Sequence, residues 1–127
     1  IRKEEIPSLI DELPILMVAG CFAERESVFE GVGELRVKET DRIKSMLTNL
    51  TKMGAKIKID KPNGQEAIII KGAKVLYGTR VRSFDDHRTA MSMIIAGLAA
   101  RGQTRIDDVS CIAKSFPDFL KTLNSLT

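Results

Sequence analysis

Three predicted helices begin beside a basic residue, although the start of a helix favours anions. Arg42 and Arg88 each fall in the first turn of a predicted helix, and Lys114 immediately precedes Ser115, the predicted cap of the last helix. A helix N-terminus carries free N–H groups and partial positive charge, so a cation there opposes the dipole unless an anion lies in front of it. If the three helix starts converge, their cations and N–H groups could surround a phosphate or a carboxylate.

Two carboxylates and one histidine could transfer protons beside these cations. Asp11 is predicted in the first turn of the first helix, and Glu39 lies close to Arg42. A carboxyl group inside a cationic cluster is a suitable general acid or base, because neighbouring charge and burial set its pKa. His87 is the only histidine and lies between Asp86 and Arg88. In this position it could hydrogen-bond a carboxylate.

The same residues also have structural interpretations. Asp11 could complete a capping box with Ser8 at the start of the first helix. Glu39 or Asp41 could pair with Arg42 on a solvated face, because most surface charge serves solvation. From the pattern alone, both kinds of interpretation stay open.

The composition is that of an ordinary globular domain with an aliphatic core. The 127 residues are 43% hydrophobic and 29% charged, without Trp, and their net charge of +3 suits a small anionic ligand better than a nucleic-acid or membrane surface. Cys21 and Cys111 are far apart, have no metal-ligand spacing with each other or with His87, and favour a reducing cytoplasm. The apolar run 13–22 is too short to span a membrane.

Hydrophobic spacing and turn signals predict alternating helices and strands that could position these residues. Pro62-Asn63-Gly64 marks the turn of a hairpin. The predicted caps of the later helices are Thr40 or Asp41, Asp85 or Asp86, and Ser115. In chain order, we predict a strand over 2–6, helix 8–24, strand 27–32, helix 40–53, hairpin strands 56–59 and 66–70, strand 79–83, helix 87–101, strand 104–109, and a last helix from 115.

The chain resembles itself at an interval of 77 residues. With this shift, Ala19-Gly20-x-x-Ala23 aligns with Ala96-Gly97-x-x-Ala100. The predicted strand and helix that follow the first motif align with those that follow the second. Such a repeat predicts one partial domain made of two α/β units, at about 1–77 and, incompletely, 78–127. Because the chain begins with Ile1 rather than Met, we expect a fragment or a processed piece.

Three motifs, in order, resemble the C-terminal part of the EPSP synthase (3-phosphoshikimate 1-carboxyvinyltransferase) family. They are Arg36-Val37-Lys38-Glu39-Thr40-Asp41-Arg42-Ile43, Asp86-His87-Arg88-Thr89-Ala90-Met91 and Ala113-Lys114-Ser115-Phe116-Pro117-Asp118. The resemblance runs from about Ile6 to the end. It implies an α/β (α+β) fold of repeated βαβαββ units, of which this chain would hold two of the three units of one domain.

The resemblance also implies a reaction of aromatic amino-acid biosynthesis that needs no metal or organic cofactor. The 5-hydroxyl of shikimate 3-phosphate attacks C2 of phosphoenolpyruvate while C3 is protonated, and the tetrahedral intermediate then expels phosphate. A glyphosate-type inhibitor is a further candidate ligand. The implied partner is an N-terminal domain that supplies most of the shikimate-phosphate site, so we expect this chain alone to be inactive.

Residue roles follow from the matching motifs. The implied phosphoenolpyruvate ligands are basic: Arg42, Arg88 and Lys114. Lys38 and Asp11 would contact shikimate 3-phosphate, with Asp11 accepting the hydroxyl proton. Glu39 would donate a proton to C3, and His87 would support Glu39. Glu34 departs from the family pattern, because some members carry Asn there.

Two other function classes compete with this resemblance. A related carboxyvinyltransferase that acts on a UDP-sugar would share the fold and the chemistry. A non-catalytic α/β module could instead bind phosphorylated ligands or nucleic acid, and would then bind polyanions in a salt-dependent way without preference. The motifs that contain Lys38 and His87 favour the shikimate branch.

Overall fold

The computed structural model describes residues 1–126, whose elements alternate between helices and strands. Three short 3₁₀ turns cover Ile10–Glu12, Gly33–Val37 and Pro62–Gly64. The helices are α1 (Ile6–Leu9), α2 (Leu13–Phe22), α3 (Arg42–Lys52), α4 (His87–Ala99), α5 (Ser110–Ala113) and α6 (Phe119–Leu126), and the strands are β1 (Ser27–Glu30), β2 (Lys56–Asp60), β3 (Ala67–Lys71), β4 (Arg80–Val81) and β5 (Arg105–Ile106).

The first sheet is antiparallel, with β3 between β1 and β2. The hairpin predicted around Pro62-Asn63-Gly64 is confirmed, and Asn63 and Gly64 make its turn with φ angles of 54° and 78°. Asparagine and glycine tolerate this left-handed conformation better than other residues. The alternating isoleucines of β3, Ile68 and Ile70, point into the core.

The second sheet is a short parallel pair, β4 and β5, in which Arg80 lies opposite Arg105 and Val81 opposite Ile106. The predicted strands 79–83 and 104–109 therefore exist, but the ladder covers only two residues of each. An isolated parallel bridge between Tyr77 and Arg101 joins the same two segments just before this ladder.

Helix α2 lies at the centre of the core and contacts α3, α4 and β3. Leu13, Met17 and Cys21 are fully enclosed, as the nearly continuous apolar sequence of this helix predicts. Burial raises the pKa of the Cys21 thiol to about 11, so this cysteine is a packing residue rather than a nucleophile.

The predicted beginning of the chain is wrong in three respects. Residues 2–6 form no strand, because a turn leads directly into α1. Ser8 lies inside α1, where its hydroxyl donates to the Glu5 carbonyl at 2.8 Å, so it caps nothing. The single helix predicted over 8–24 is divided, because Pro14 lacks an N–H group and fits the first turn of a new helix, α2.

The predicted start of the last helix is also wrong. A separate turn of helix, α5, precedes it, and α6 begins at Phe119 rather than after Ser115. Pro117 disfavours a helical conformation of the residue before it, which explains the interruption.

Within residues 1–126, none of the helices combines the length and apolarity needed to cross a membrane. The two-unit repeat remains a prediction, and its last residue, Thr127, lies outside the described part.

Candidate functional site

The first predicted cation, Arg42, lies at the start of α3 and inside the protein. Asp41 caps the helix, accepting a hydrogen bond from the Lys44 N–H at 3.0 Å. The apolar side chains of Ile43 and Met46 are buried and draw this helix onto the core. As a consequence, the side chain of Arg42, the first helical residue, is only 1% exposed.

The buried guanidinium of Arg42 is surrounded by carboxylates. Its Nε donates to Asp86 Oδ2 at 2.8 Å, its Nη1 to Asp11 Oδ1 at 3.1 Å, and its Nη2 to Glu39 Oε2 at 2.5 Å. Burial alone would lower the pKa of Arg42, but hydrogen bonds and charge from Asp86, then Glu39 and Asp11, raise it above its ordinary value. Arg42 is thus fully charged and fully paired.

Asp86 joins the two predicted helix starts. Its carboxylate is completely buried and forms an ion pair with Arg42. As the cap of α4, it also accepts a hydrogen bond from the Arg88 N–H at 2.9 Å. The sequence predicted a cap at Asp85 or Asp86, and the structure selects the second. The bond to Arg42 was missed, because only the packing of α3 against α4 brings together residues 44 positions apart.

A buried polar stripe on α3 continues this contact between the helices. Ser45 and Asn49 follow Arg42 at helical spacing, and each is about 1% exposed. The Ser45 hydroxyl lies 3.0 Å from that of Thr89 on α4, and the Asn49 amide pairs with the main chain of Arg82. The recurrence of polar residues at three and seven positions after Arg42 was the sequence signal that could have revealed the stripe.

Asp11, Glu39 and Lys38 form the solvent side of the cluster. The side chains of Asp11 and Glu39 are 50% and 53% exposed, and Lys38 Nζ lies 4.0 Å from Asp11 Oδ1. Asp11 lies in the 3₁₀ turn before α2, so its predicted capping-box role is wrong. The predicted pairing of Glu39 with Arg42 is confirmed, although Arg42 is buried rather than on a solvated face.

Arg88 occupies the second predicted helix start in a more open position. Its Nη1 donates to Glu12 Oε2 at 2.8 Å, and its side chain remains 32% exposed. Its Nε is buried and finds no hydrogen-bond partner among residues 1–126. A cleft of about 220 Å³ lies beside it, lined by polar and apolar side chains that include Asp11, Glu12 and Phe116. Arg88 therefore lines this cleft and keeps a donor to which no described residue is bonded.

Lys114 and His87 are not part of the paired cluster. Lys114 follows α5 and is exposed, and in the described part of the chain no ion pair joins it to the acids around Arg42. Hydrogen bonds from Ser110, and to a smaller extent the charge of Lys114, lower the pKa of Asp108. The helix start predicted after Lys114 is absent, whereas the convergence of Lys114 with Arg42 and Arg88 on one anion stays a prediction.

His87 begins α4, but its predicted hydrogen bond to a carboxylate is absent from residues 1–126. The neighbouring carboxylate of Asp86 is already engaged by Arg42 and the Arg88 N–H. The described residues also contain no group of three His, Cys, Asp or Glu side chains that could hold a metal ion. The arrangement places two half-exposed carboxylates, Asp11 and Glu39, against the buried guanidinium of Arg42.

Proteins of known function resemble this chain along nearly its whole length. A 3-phosphoshikimate 1-carboxyvinyltransferase from Geotalea uraniireducens is 48% identical over 121 residues, which are 95% of this chain and 27% of that protein. The enzyme of the same name from Synechococcus elongatus is 49% identical over 121 residues, 95% of this chain and 26% of its own length. This chain thus spans about a quarter of the length of these relatives.

A solved structure has the same fold. The EPSP synthase from Acinetobacter baumannii superposes with a TM-score of 0.85 at 37% identity, covering 97% of this chain and 28% of that one. The sequence model described as EPSP synthase (3-phosphoshikimate 1-carboxyvinyltransferase) matches residues 1–123. Because that match includes the stretches that build the Arg42 cluster and the start of α4, the chain belongs to the EPSP synthase family.

Proposed function

We propose that this chain is part of a 3-phosphoshikimate 1-carboxyvinyltransferase, which transfers the enolpyruvyl group of phosphoenolpyruvate to the 5-hydroxyl of shikimate 3-phosphate. The observation that carries the proposal is the arrangement of Arg42 and Arg88 on the two sides of Asp86, with Asp11 and Glu39 exposed beside them. Fixed cations beside mobile acids suit a reaction in which an anion binds and protons move.

Phosphoenolpyruvate is proposed to bind where Arg88 has spare donors, with Arg42 and Lys114 as further basic ligands. Arg42 can contact the substrate only after Glu39 or Asp11 turns away, because its side chain is now 1% exposed. Both acids are about half exposed, so they can rotate into solvent without leaving a buried charge. The substrate anion would then replace them as counter-charge of the guanidinium.

Asp11 and Glu39 are proposed to move the protons. Asp11 accepts the proton of the 5-hydroxyl of shikimate 3-phosphate while the hydroxyl oxygen bonds to C2 of phosphoenolpyruvate. Glu39 gives a proton to C3 of phosphoenolpyruvate. In the second step a C3 proton returns to a base, the double bond forms again, and phosphate leaves C2. Lys38, 4.0 Å from Asp11, would contact shikimate 3-phosphate, and His87 would support Glu39.

The remainder of the enzyme is proposed to supply the N-terminal domain and most contacts to shikimate 3-phosphate. The 127-residue chain alone is therefore expected to be inactive. We place the enzyme in the cytoplasm and in aromatic amino-acid biosynthesis, with a glyphosate-type inhibitor competing for the phosphoenolpyruvate position. Neither a nucleic acid nor a membrane is part of the proposed function.

A chimera tests this function in a complete enzyme. The matching segment of the Geotalea uraniireducens transferase is replaced by residues 1–127, and phosphate release is measured with both substrates. We expect turnover by the chimera, none by the isolated chain, and a loss of kcat on the order of 10²- to 10⁴-fold for Glu39→Gln. Glu30→Gln, an exposed acid on β1, is the matched control.

Several outcomes would contradict the proposed function. They are an inactive chimera that nevertheless folds, full activity of Glu39→Gln, or turnover with a UDP-sugar instead of shikimate 3-phosphate. Salt-dependent binding of an oligonucleotide that is as tight as binding of phosphoenolpyruvate would favour the non-catalytic module.

A further inference from the structure

We infer that Arg36 is a positioning residue, which holds the segment 37–41 so that Lys38 and Glu39 face the Arg42 cluster. This role rests on the proposed function for its effect on catalysis. The physical part of the role, the fixing of the segment, stands on the contacts of Arg36 itself. Arg36 was part of the first motif in the sequence but received no role there.

Arg36 connects two carboxylates that belong to different parts of the fold. Its Nε and Nη2 donate to the two carboxylate oxygens of Glu66 at 2.8 and 2.6 Å, and its Nη1 donates to Asp41 Oδ2 at 2.8 Å. A two-point contact between guanidinium and carboxylate fixes orientation as well as distance. Both carboxylates raise the pKa of Arg36, so the guanidinium side of this contact keeps its charge.

Glu66 offers a firm anchor for this contact. It immediately precedes β3, the central strand of the antiparallel sheet, and its own carbonyl accepts the Val32 N–H at 3.0 Å. Asp41, at the other end, holds the first turn of α3 through its second oxygen. Arg36 therefore ties the beginning of α3 to the sheet through side chains alone.

The main chain between these anchors has little support of its own. Leu35 is buried and fixes the start of the segment, whereas Val37 is 78% exposed. In the described part of the chain, no main-chain hydrogen bond outside helices and strands involves residues 38–40. Lys38 and Glu39 lie in this stretch, so their positions depend on Arg36 and Asp41 beside them.

Loss of the two-point contact should move Glu39 without removing any group that touches substrate. Arg36→Lys keeps the positive charge but cannot contact both oxygens of Glu66 and Asp41 at once. A displacement of a catalytic group by about 1 Å can cost on the order of 100-fold in rate. Binding of phosphoenolpyruvate by Arg88, which lies on α4, should change little.

Two measurements test the inference, and the first does not depend on the reaction. Backbone ¹⁵N order parameters of residues 38–40 are compared by NMR in the 127-residue chain and in its Arg36→Lys and Glu66→Gln variants. We expect them to fall from the rigid range of about 0.85 towards the flexible range below about 0.6 in both variants, because the segment loses its side-chain attachment to Glu66. Arg82→Lys, which alters an exposed pair with Asp107 at 3.8 Å, is the matched control and should leave these amides unchanged.

The second measurement uses the chimeric enzyme. We expect Arg36→Lys and Glu66→Gln each to lower kcat on the order of 10- to 100-fold, with KM for phosphoenolpyruvate changed less than about twofold. The double variant should be no slower than the slower single variant, because both changes remove one contact.

The outcomes separate this inference from the proposed function. Unchanged order parameters of residues 38–40 in Arg36→Lys overturn the positioning role, whatever the activity. Lowered order parameters with an unchanged kcat in an active chimera overturn its catalytic consequence. An inactive parent chimera contradicts the proposed function, whereas the order parameters still decide whether Arg36 fixes the segment.

Discussion

The starts of α3 and α4 have the same local design but opposite surroundings. Each helix is capped by an aspartate and carries an arginine in its first turn. The α3 arginine, Arg42, is buried and bonded to three carboxylates, whereas the α4 arginine, Arg88, is about one-third exposed and bonded to one. The two arginines therefore differ in burial and in the number of acids that pair with them.

The physical reason is the cost of removing charge from water. A buried guanidinium must have its charge and its donors matched by the protein, and Asp86, itself fully buried, provides the main compensation. The Arg88 side chain remains in contact with solvent, so one exposed acid, Glu12, is sufficient to pair with its charge. The comparison teaches that a cation at a helix start can be matched by acids of the protein, as Arg42 is, or can keep a donor without a partner in residues 1–126, as Arg88 does.

The largest expected effect is on folding and follows substitution of Arg42. Arg42→Met should lower the free energy of unfolding by about 3–5 kcal/mol, because Asp86 would remain buried without its counter-charge. The measurement is urea unfolding of the 127-residue chain, with Arg88→Met as the matched control. A loss for Arg42→Met as small as that for Arg88→Met would break the distinction between the two helix starts.

A smaller effect, confined to binding, is expected for Arg88. In the chimeric enzyme, Arg88→Ala should weaken phosphoenolpyruvate binding on the order of 10- to 100-fold, because a charge-assisted contact is lost. The free energy of unfolding should fall by less than about 1 kcal/mol, as for other exposed ion pairs. Calorimetric titration and thermal unfolding measure the two quantities. Unchanged affinity would show that the spare donors of Arg88 serve no ligand.

The smallest effect is a pH dependence that extends the comparison to a third arginine. The hydrogen bonds from Arg36 lower the pKa of Glu66, so this pair stabilises the fold above the ordinary glutamate pKa of about 4.3. The contribution is lost as pH falls through the lowered pKa, when Glu66 takes up a proton.

Glu66→Gln should therefore reduce stability at neutral pH, and the difference from the parent chain should shrink below about pH 4. Unfolding by urea at several pH values measures that difference. Glu30→Gln is the control, since Glu30 is exposed at the end of β1. A difference that grows on acidification would contradict the sign of this linkage.

Local chemistry was sufficient for much of the fold and part of the site. The turn at Asn63-Gly64, the cap at Asp41 and the helices that contain Arg42 and Arg88 were predicted correctly, because each depends on neighbours a few residues away. The division of the first helix at Pro14 and the late start of α6 after Pro117 were not predicted, although the local effect of proline on the backbone explains both.

The sequence by itself determined which groups this protein can use: cations at helix starts, acids beside them, and motifs shared with EPSP synthases. Only the tertiary structure decided how those groups are divided. Packing of α3 on α4 buried Arg42 with Asp86 and left Arg88 facing the cleft, while the interruption before α6 left Lys114 outside the cluster. The sign of a side chain's charge is a property of the residue itself. Whether that charge is buried, and which group pairs with it, depends on segments far apart in the chain.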